Sequence, residues 1–550
     1  MDDLTPNPAN SPPLTPLTFL ERAAIVYGDS HSILYNRTSF TWSQTHRRCL
    51  QLASSLTSLG LGRGHVISVL SPNTPSMYEL HFAVPMCGAI LNNLNLRLNP
   101  HILSVLLRHS ESKLVFVHSH SLPLILRALS NFPKTTPRPS LVLITDDADA
   151  VTVSLAHVID TYEGLIKKGN PNFHWARPNS EWDPITLNYT SGTTSSPKGV
   201  VHSHRATFIM ALDSLIDWCV PKQPVYLWTL PMFHSNGWTF PWGIAAAGGT
   251  NVCPRKIDAP MIYHLIQSHN VTHMCAAPVV LNLLLTRTEP VKNPVHVLTG
   301  GSPPPAAILT RAEKLGFRVR HGYGMTETLG VVVSCAWKKE WDKFPATERA
   351  RFKARQGVRT VAMTEVDVVD PATGVSVKRD GVTSGEIVFR GACVMLGYLK
   401  DSDGTKRCIR NNWLYTGDVG VMHGDGYLEI KDRSKDVIIS GGENLSSVEV
   451  EAVLYDHPAV NEVAVVARPD EFWGETPCAF VMLKEGLVAP PSEKEVVEFC
   501  RERLPHFMVP KTVVFKEALP KTSTGKIQKH VLRMDAQAMG VQLSGFGLVV

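Results

Sequence analysis

One stretch constrains this chain more than any other: Leu187-Asn188-Tyr189-Thr190-Ser191-Gly192-Thr193-Thr194-Ser195-Ser196-Pro197-Lys198-Gly199-Val200-Val201. A short apolar step enters a run of hydroxyl residues, the run closes on Pro-Lys-Gly, and a second apolar step leaves it. Glycine lets backbone N–H groups turn toward an anion, hydroxyls donate further bonds, and one ammonium supplies a compact positive charge. The loop therefore reads as a phosphate cradle. It is not the Walker pattern, because its lysine precedes the glycine and no Gly-Lys-Ser/Thr follows.

The segments around that loop alternate between two periodicities. Val66–Leu70, Leu114–Val117, Leu141–Ile144 and Val295–Thr299 are short continuous apolar runs, as buried parallel strands would be. Between them Gln44–Leu59, Pro75–Ala89, Ala206–Cys219 and Met261–Gln267 carry helical spacing. Ser32–Thr41 reads as a hairpin turning at Asn36-Arg37. Repeats of this kind predict an α/β protein with helices on the faces of its sheets. Two such series end in Gly-rich corners and predict two related α/β subdomains sharing one crevice. Trp337–Arg355 is dense in charge and predicts a solvated helical excursion. Thr364–Leu399 alternates as strands do and predicts a small distorted β-barrel. Beyond Asp432-Arg433-Ser434-Lys435-Asp436 a compact α+β unit reads independently, which divides the chain into 1–433 and 434–550.

At 550 residues the chain is long enough for about three to four domain-sized cores. A formal net charge of +5, with basic residues scattered and no basic run interleaved with aromatics, gives no footprint for nucleic acid. The ten cysteines stand far apart with no Cys-x-x-Cys pair, which points to reduced thiols rather than a disulfide frame or a zinc site. No apolar run reaches the ~18–20 residues of a membrane span. The N-terminus lacks a secretory pattern and the chain ends Val549-Val550, so the expected location is the cytoplasm, with the peroxisome as alternative.

Further motifs follow in one order: Gly322-Tyr323-Gly324-Met325-Thr326-Glu327, Tyr415-Thr416-Gly417-Asp418, Asp432-Arg433, and Pro520-Lys521-Thr522-Ser523-Thr524-Gly525-Lys526. With the opening loop, this set resembles the adenylate-forming superfamily of acyl-CoA synthetases, adenylation domains and luciferases. The resemblance runs from about residue 18 to 535. It implies a large N-terminal domain holding the ATP and acyl site, and a small mobile C-terminal domain carrying a catalytic lysine. The implied reaction has two steps. A carboxylate attacks the α-phosphate of ATP, giving acyl-AMP and pyrophosphate, and the thiol of coenzyme A then displaces AMP.

The resemblance assigns each motif a part. Thr190 to Lys198 would hold the β- and γ-phosphates, and Glu327 would hold Mg²⁺, a hard cation suited to carboxylate and phosphate oxygens. Thr326 would bond the α-phosphate, in a nucleotide segment running from His321 through Gly322, Tyr323, Gly324 and Met325. Tyr323 would stack on adenine, Asp418 would accept the ribose hydroxyls, and Arg433 would lie beside the same sugar. Lys526 would contact the carboxylate and α-phosphate as charge develops. Lys435 stands at the family's hinge position. Gly441 and Gly442 resemble the loop beside the pantetheine tunnel, and Trp473 resembles a residue that meets the CoA nucleotide.

His234, Asn236, Gly237, Trp238, Gly300, Gly301, Ser302 and Gly324 would form the acyl pocket. His234 reads as a gate between acyl group and α-phosphate rather than a metal ligand, since no partner stands at ligand spacing. The segments Phe233–Trp238 and Gly301–Pro305 resemble the plant acyl-activating branch, which includes benzoate, cinnamate, butyrate and branched short-chain CoA ligases. The bulk of Trp238 favours a short- or medium-chain or branched aliphatic acid, with an aromatic acid or a carrier-protein acceptor as alternatives. One departure stands out: Ser195 occupies a position where many members have glycine.

Overall fold

The computed structural model describes residues 5–146, 157–190, 198–301, 306–440, 443–522 and 525–540. Two large sheets dominate it. The first has eight strands. Its parallel part comprises Val66–Leu70, Ile90–Asn93, Leu114–His118, Ser140–Ile144, Val158–Thr161 and Pro184–Tyr189. Every residue of Val66–Leu70 and Leu114–His118 is buried, because helices cover both faces of these strands and leave no side for polar residues. The sheet is completed by Gly199–Ser203, antiparallel to Pro184–Tyr189, and by Gly397–Tyr398, antiparallel to Gly199–Ser203. The hydroxyl-rich loop thus joins two antiparallel strands.

The second sheet has nine strands and includes Val225–Leu227, Thr250–Val252, His273–Ala276, Val295–Thr299, Phe317–Met325 and Gly330–Ser334. The N-terminal hairpin, His31–Tyr35 with Thr38–Thr41, turns through Asn36 at φ +52° and docks on this sheet beside Thr250–Val252. A neighbour more than two hundred residues downstream lies beyond the reach of local periodicity.

The expected small barrel is an antiparallel sheet of Glu365–Val369, Ser384–Arg390, Ile409–Arg410 and Trp413–Met422, with Leu428–Arg433 paired to the last. Register shifts at Glu386/Val388 and Val419/Gly420 bend it. Arg433 ends this sheet, and Ile438 begins a fourth one containing Val460–Asp470, Gly474–Leu483 and Thr512–Phe515. Helices Ser447–Tyr455, Glu493–Arg501 and Lys529–Ala538 pack on that fourth sheet.

The charged stretch 337–355 needs correcting. It is helical in two pieces, Lys339–Lys343 and Ala346–Ala354, but it is not wholly solvated. Trp341 is buried, stacks on Phe352 with centroids 4.6 Å apart, and meets Tyr427 from the small sheet. Its aromatic residues form a satellite core, and Lys338, Lys353 and Arg355 lay their cations over those rings.

Candidate active site

The stem of the hydroxyl-rich loop is zipped shut. Tyr189 pairs with Gly199, and the Thr190 amide donates to the Lys198 carbonyl at 3.1 Å. A Cβ at Gly199 would lie 2.9 Å from Leu187 Cδ1 and 3.1 Å from Tyr189 Cε1, so the close stem requires glycine. Ser191, Gly192, Thr193, Thr194, Ser195, Ser196 and Pro197 lie outside the described residues, as do Ser302, Gly441 and Gly442. Lys198 sets its ammonium 4.6 Å from the centroid of the Tyr398 ring.

Across from Lys198, strand Phe317–Met325 runs into a 3₁₀ turn at Thr326–Thr328, and the chain doubles back through Leu329 at φ +59°. A Cβ at Gly324 would fall 1.7 Å from the Gly330 carbonyl oxygen, which makes this reversal possible only with glycine there. The Thr326 carbonyl accepts from His202 Nε2 at 2.8 Å, and the Glu327 carbonyl accepts from the Met395 amide at 2.9 Å. His321, at the buried start of the segment, accepts the Cys335 amide on its carbonyl.

The Glu327 side chain is buried, and its Oε1 accepts from the Tyr398 hydroxyl at 2.7 Å. Burial raises its pKa, opposed by that hydroxyl and by the Lys198 charge. Among the described residues no arginine or lysine is within ion-pairing distance of it. A buried carboxylate with one neutral partner, near the Lys198 stem but unpaired with it, fits a hard dication.

Asp418 and Arg433 are directly opposed on neighbouring antiparallel strands. Arg433 Nε lies 3.4 Å from Asp418 Oδ1, and the Tyr323 hydroxyl donates to Asp418 Oδ2 at 2.5 Å. Gly417, at φ +74°, turns the strand so that Asp418 faces this pair. The next residue along, Asp432, points to the opposite face and accepts the Ser447 amide at 2.7 Å and the Ser447 hydroxyl at 2.6 Å.

The Lys526 loop is held by its own residues. The Thr522 amide donates to the Lys526 carbonyl at 2.7 Å, the Lys526 amide donates to Thr522 Oγ1 at 3.1 Å, and Lys521 pairs with Glu462. The ammonium is lowered to about 8, chiefly by burial and then by Arg433, with Asp418 and Asp436 opposing. His234 is lowered to about 4 by burial and by the positive charge of Lys526. Lys526, His234, Arg433 and Asp418 therefore share one electrostatic neighbourhood, although nearly three hundred residues separate His234 from Lys526 in the chain.

Beside His234 the backbone is left-handed over five residues in a row, with φ of +38° at Ser235, +41° at Asn236, +52° at Gly237, +51° at Trp238 and +68° at Thr239. Non-glycine residues hold such angles only where the surroundings impose them. Here Asn236 is fully buried and its side-chain oxygen accepts from Asn188 Nδ2, while Trp228 packs against Gly237 so closely that a Cβ there would fall 2.7 Å from the indole. The turn presents Trp238 to Gly300, whose Cβ would lie 3.3 Å from Trp238 Cη2, and to Gly330. Gly301 follows at φ +89°.

Two further predicted residues make their contacts elsewhere. The Lys435 carbonyl accepts from Arg533 Nη1 at 2.9 Å, and Arg533 also pairs with Asp436. Trp473 is 37 % exposed, lies edge-on to Phe472 at 4.9 Å, and has the Lys511 ammonium 6.0 Å from its ring. Conversely, sequence reasoning passed over Tyr398, Asn188 and the role of His202. Asn188 was detectable as a polar residue at a buried position of an apolar strand. Tyr398 carries no such signal, because its contacts come from segments at 198 and 327.

Comparison with known proteins agrees with this geometry. Residues 20–399 match the AMP-binding enzyme family, and residues 449–526 match the AMP-binding enzyme C-terminal domain. The chain belongs to the AMP-binding enzyme family and is an ATP-dependent carboxylic acid–CoA ligase, a class whose reaction draws on ATP, Mg²⁺ and CoA. More particularly, it is 66% identical to the 2-methylpropanoate–CoA ligase of Humulus lupulus over 99% of both chains. It is 63% identical to the Arabidopsis thaliana protein named probable acyl-activating enzyme 5, peroxisomal, over 98% of this chain and 99% of that one. Among solved structures, the o-succinylbenzoate CoA synthetase of Bacillus subtilis in complex with ATP and magnesium superposes with a TM-score of 0.78 at 26% identity, covering 94% of this chain and 99% of that one. No helix among the described residues is long and apolar enough to cross a membrane.

Proposed function

We propose that this chain activates a short or branched aliphatic carboxylate, with 2-methylpropanoate the leading candidate, and transfers the acyl group to CoA. The observation that carries this reading is the left-handed turn that sets Trp238 against Gly300, at the end of a strand whose neighbour carries Tyr323, bonded to Asp418. A bulky indole against Gly300 suits a compact acid, and a relative sharing two thirds of the sequence is named for a branched four-carbon acid.

In the first step a carboxylate oxygen attacks the α-phosphorus in line, the bond to the bridging oxygen breaks, and pyrophosphate leaves. This displacement needs positioning and charge neutralisation more than covalent help. Asp418 and Arg433 hold the ribose, and Tyr323 places the base. Thr190 to Lys198 hold the departing phosphates, and Thr326 bonds the α-phosphate. Lys526 places a protonated amine where negative charge builds between carboxylate and phosphorus. His234 faces that ammonium as a neutral ring and shields the reacting atoms from water. Glu327 would hold Mg²⁺, which when bound neutralises phosphate charge. In the second step the CoA thiol attacks the acyl carbon and AMP leaves. Gly441, Gly442 and Trp473 serve the thiol side, reached by turning residues 434–550 about Lys435 against residues 1–433. Ten free cysteines suit a reducing compartment, and we place the protein in the cytoplasm.

A panel of acids with ATP, Mg²⁺ and CoA, read by AMP release, tests the substrate class. Acids from acetate to hexanoate with 2-methylpropanoate should turn over best. Preference for benzoate or cinnamate would replace the aliphatic reading with the aromatic one, and activity only with a carrier protein would replace CoA as acceptor.

A further inference from the structure

Two opposite charges face each other in the described site without pairing. Glu327 is a buried carboxylate, and Lys198 is the one cation next to it that comes from the phosphate-loop stem. In a partly buried setting such groups gain by collapsing onto one another, and a collapsed pair would be spent before any ligand arrived. Tyr398 stands between them. Its hydroxyl donates to Glu327 Oε1 at 2.7 Å, while the face of its ring takes the Lys198 ammonium at 4.6 Å from the centroid.

The backbone fixes this arrangement from both sides. Tyr398 lies on the short strand Gly397–Tyr398, paired with Val200 and Val201, and the Leu396 and Leu399 amides donate to the Val201 and Gly199 carbonyls at 2.9 and 2.7 Å. Three residues before it, the Met395 amide donates to the Glu327 carbonyl at 2.9 Å. The Tyr398 amide donates to Thr405 Oγ1 at 2.9 Å. The segment 395–399 is thus bonded to the strand that carries Lys198 and to the turn that carries Glu327, and its one aromatic side chain touches both charges.

We propose that Tyr398 is a positioning residue for acid activation: its hydroxyl orients the Glu327 carboxylate and its ring seats the Lys198 ammonium, keeping the two apart so that each can meet its own part of a metal–nucleotide ligand. The assignment rests on the reading that Glu327 holds Mg²⁺ and Lys198 meets phosphate. It explains why tyrosine is needed. Phenylalanine keeps the cation's seat and frees the carboxylate, whereas leucine removes both.

The test uses the full-length enzyme in four forms: wild type, Tyr398→Phe, Tyr398→Leu and Glu327→Gln. Mn²⁺ binding in the presence of ATP is read by electron paramagnetic resonance, and Mg²⁺ and ATP dependence by pyrophosphate release. Tyr398→Phe should weaken Mn²⁺ binding and raise the half-saturating Mg²⁺ about tenfold, with KM for the carboxylate unchanged. Tyr398→Leu should add a rise of about fivefold in KM for ATP, and that rise should vanish in a Lys198→Ala background. A structural role alone would lower all parameters together or lower only thermal stability. Unchanged Mn²⁺ affinity in Tyr398→Phe, with weakened affinity in Glu327→Gln, overturns the proposal while leaving the metal reading intact. Unchanged affinity in Glu327→Gln overturns both. Because Tyr398→Phe keeps the ring, the hydroxyl half stays decidable even if the leucine variant does not fold.

Discussion

Asp418 and Arg433 face each other across an antiparallel pair with 3.4 Å between Oδ1 and Nε, yet the carboxylate's shorter bond, 2.5 Å, is to the Tyr323 hydroxyl. The aspartate is held in place by a neutral donor, and the arginine, whose side chain is 52% exposed, is only loosely committed to it. A carboxylate so placed retains capacity to accept from two ribose hydroxyls. Asp418→Ala should raise KM for ATP by about 10- to 100-fold, the loss of one to two hydrogen bonds to a charged group. Tyr323→Phe should raise it less. Wild type should discriminate against 2′-deoxy-ATP, and Asp418→Ala should lose that discrimination. Equal discrimination in both would remove Asp418 from the ribose.

How much of this was legible beforehand divides along a physical line. The buried strands Val66–Leu70 and Val295–Thr299 and the helix Trp42–Ser58 could be read because burial on both faces, or on one helical stripe, writes itself into local spacing. Asp418, Arg433 and Lys526 were singled out by the resemblance of their motifs to the adenylate-forming superfamily, and the structure brings these three distant residues into one electrostatic neighbourhood. Tyr398 and His202 could not. Each acts through one contact with a distant segment, at Glu327 and at the Thr326 carbonyl, and neither leaves a periodic trace. The packing of the N-terminal hairpin on the second sheet, and of Trp341 on Phe352 inside a charged stretch, was hidden for the same reason.

Lys526 carries a pH signature. Its ammonium, lowered to about 8 by burial and Arg433, is the form that can meet developing negative charge. The charged fraction is full well below that value and is lost as pH rises through it. For acyl-AMP formation, kcat/KM should therefore fall above about pH 8. Lys526→Arg should move that limb beyond pH 10, since guanidinium keeps its proton. Lys526→Ala should lose about 3–4 kcal/mol of barrier lowering in this half-reaction, while still forming thioester from supplied acyl-AMP. Near-normal adenylation in Lys526→Ala would displace the lysine from the reaction.

Lys435→Pro should separate the two half-reactions. Among the described residues the Lys435 amide donates no hydrogen bond, whereas its carbonyl, which proline retains, accepts from Arg533. Proline therefore removes little from the arrangement that brings Lys526 to His234, but it locks φ and resists rotation about that residue. Acyl-AMP formation should stay within about threefold of wild type, and thioester formation should fall at least about tenfold. Equal losses in both steps would argue against a hinge at this position.

His202 sits fully buried behind the Thr326–Thr328 turn, and because a carbonyl only accepts, its proton must be on Nε2, bonded to Thr326. Burial lowers its pKa to about 4. Unfolded histidine titrates near 6.5, so between pH 6.5 and 4 the unfolded chain binds the extra proton and stability is lost as pH falls. His202 contributes up to about 3 kcal/mol to this loss, fully expressed only below pH 4. His202→Leu should be less stable at pH 7 by about 1–3 kcal/mol, with the Thr326 carbonyl left unpaired, but its melting temperature should fall less steeply between pH 6.5 and 5. A parallel pH dependence in the two proteins would contradict this.

Trp238 should be the residue through which the left-handed turn acts on substrate choice. The turn is strained at four non-glycine positions and is kept by the Asn188–Asn236 bond and by the packing of Trp228 on Gly237, so its indole is delivered to Gly300 in a fixed place. Shortening that side chain frees volume without touching the strained backbone. Trp238→Ala should weaken the fit of 2-methylpropanoate and admit longer chains. Each added methylene that finds apolar surroundings is worth ~0.8 kcal/mol, about fourfold. The ratio of kcat/KM for hexanoate over 2-methylpropanoate should then rise at least about tenfold over wild type. Asn188→Ala loosens the turn itself and should depress both acids together, leaving the ratio unchanged. If Trp238→Ala instead behaves like Asn188→Ala, the indole serves packing alone, and the limit on chain length must come from elsewhere in the pocket.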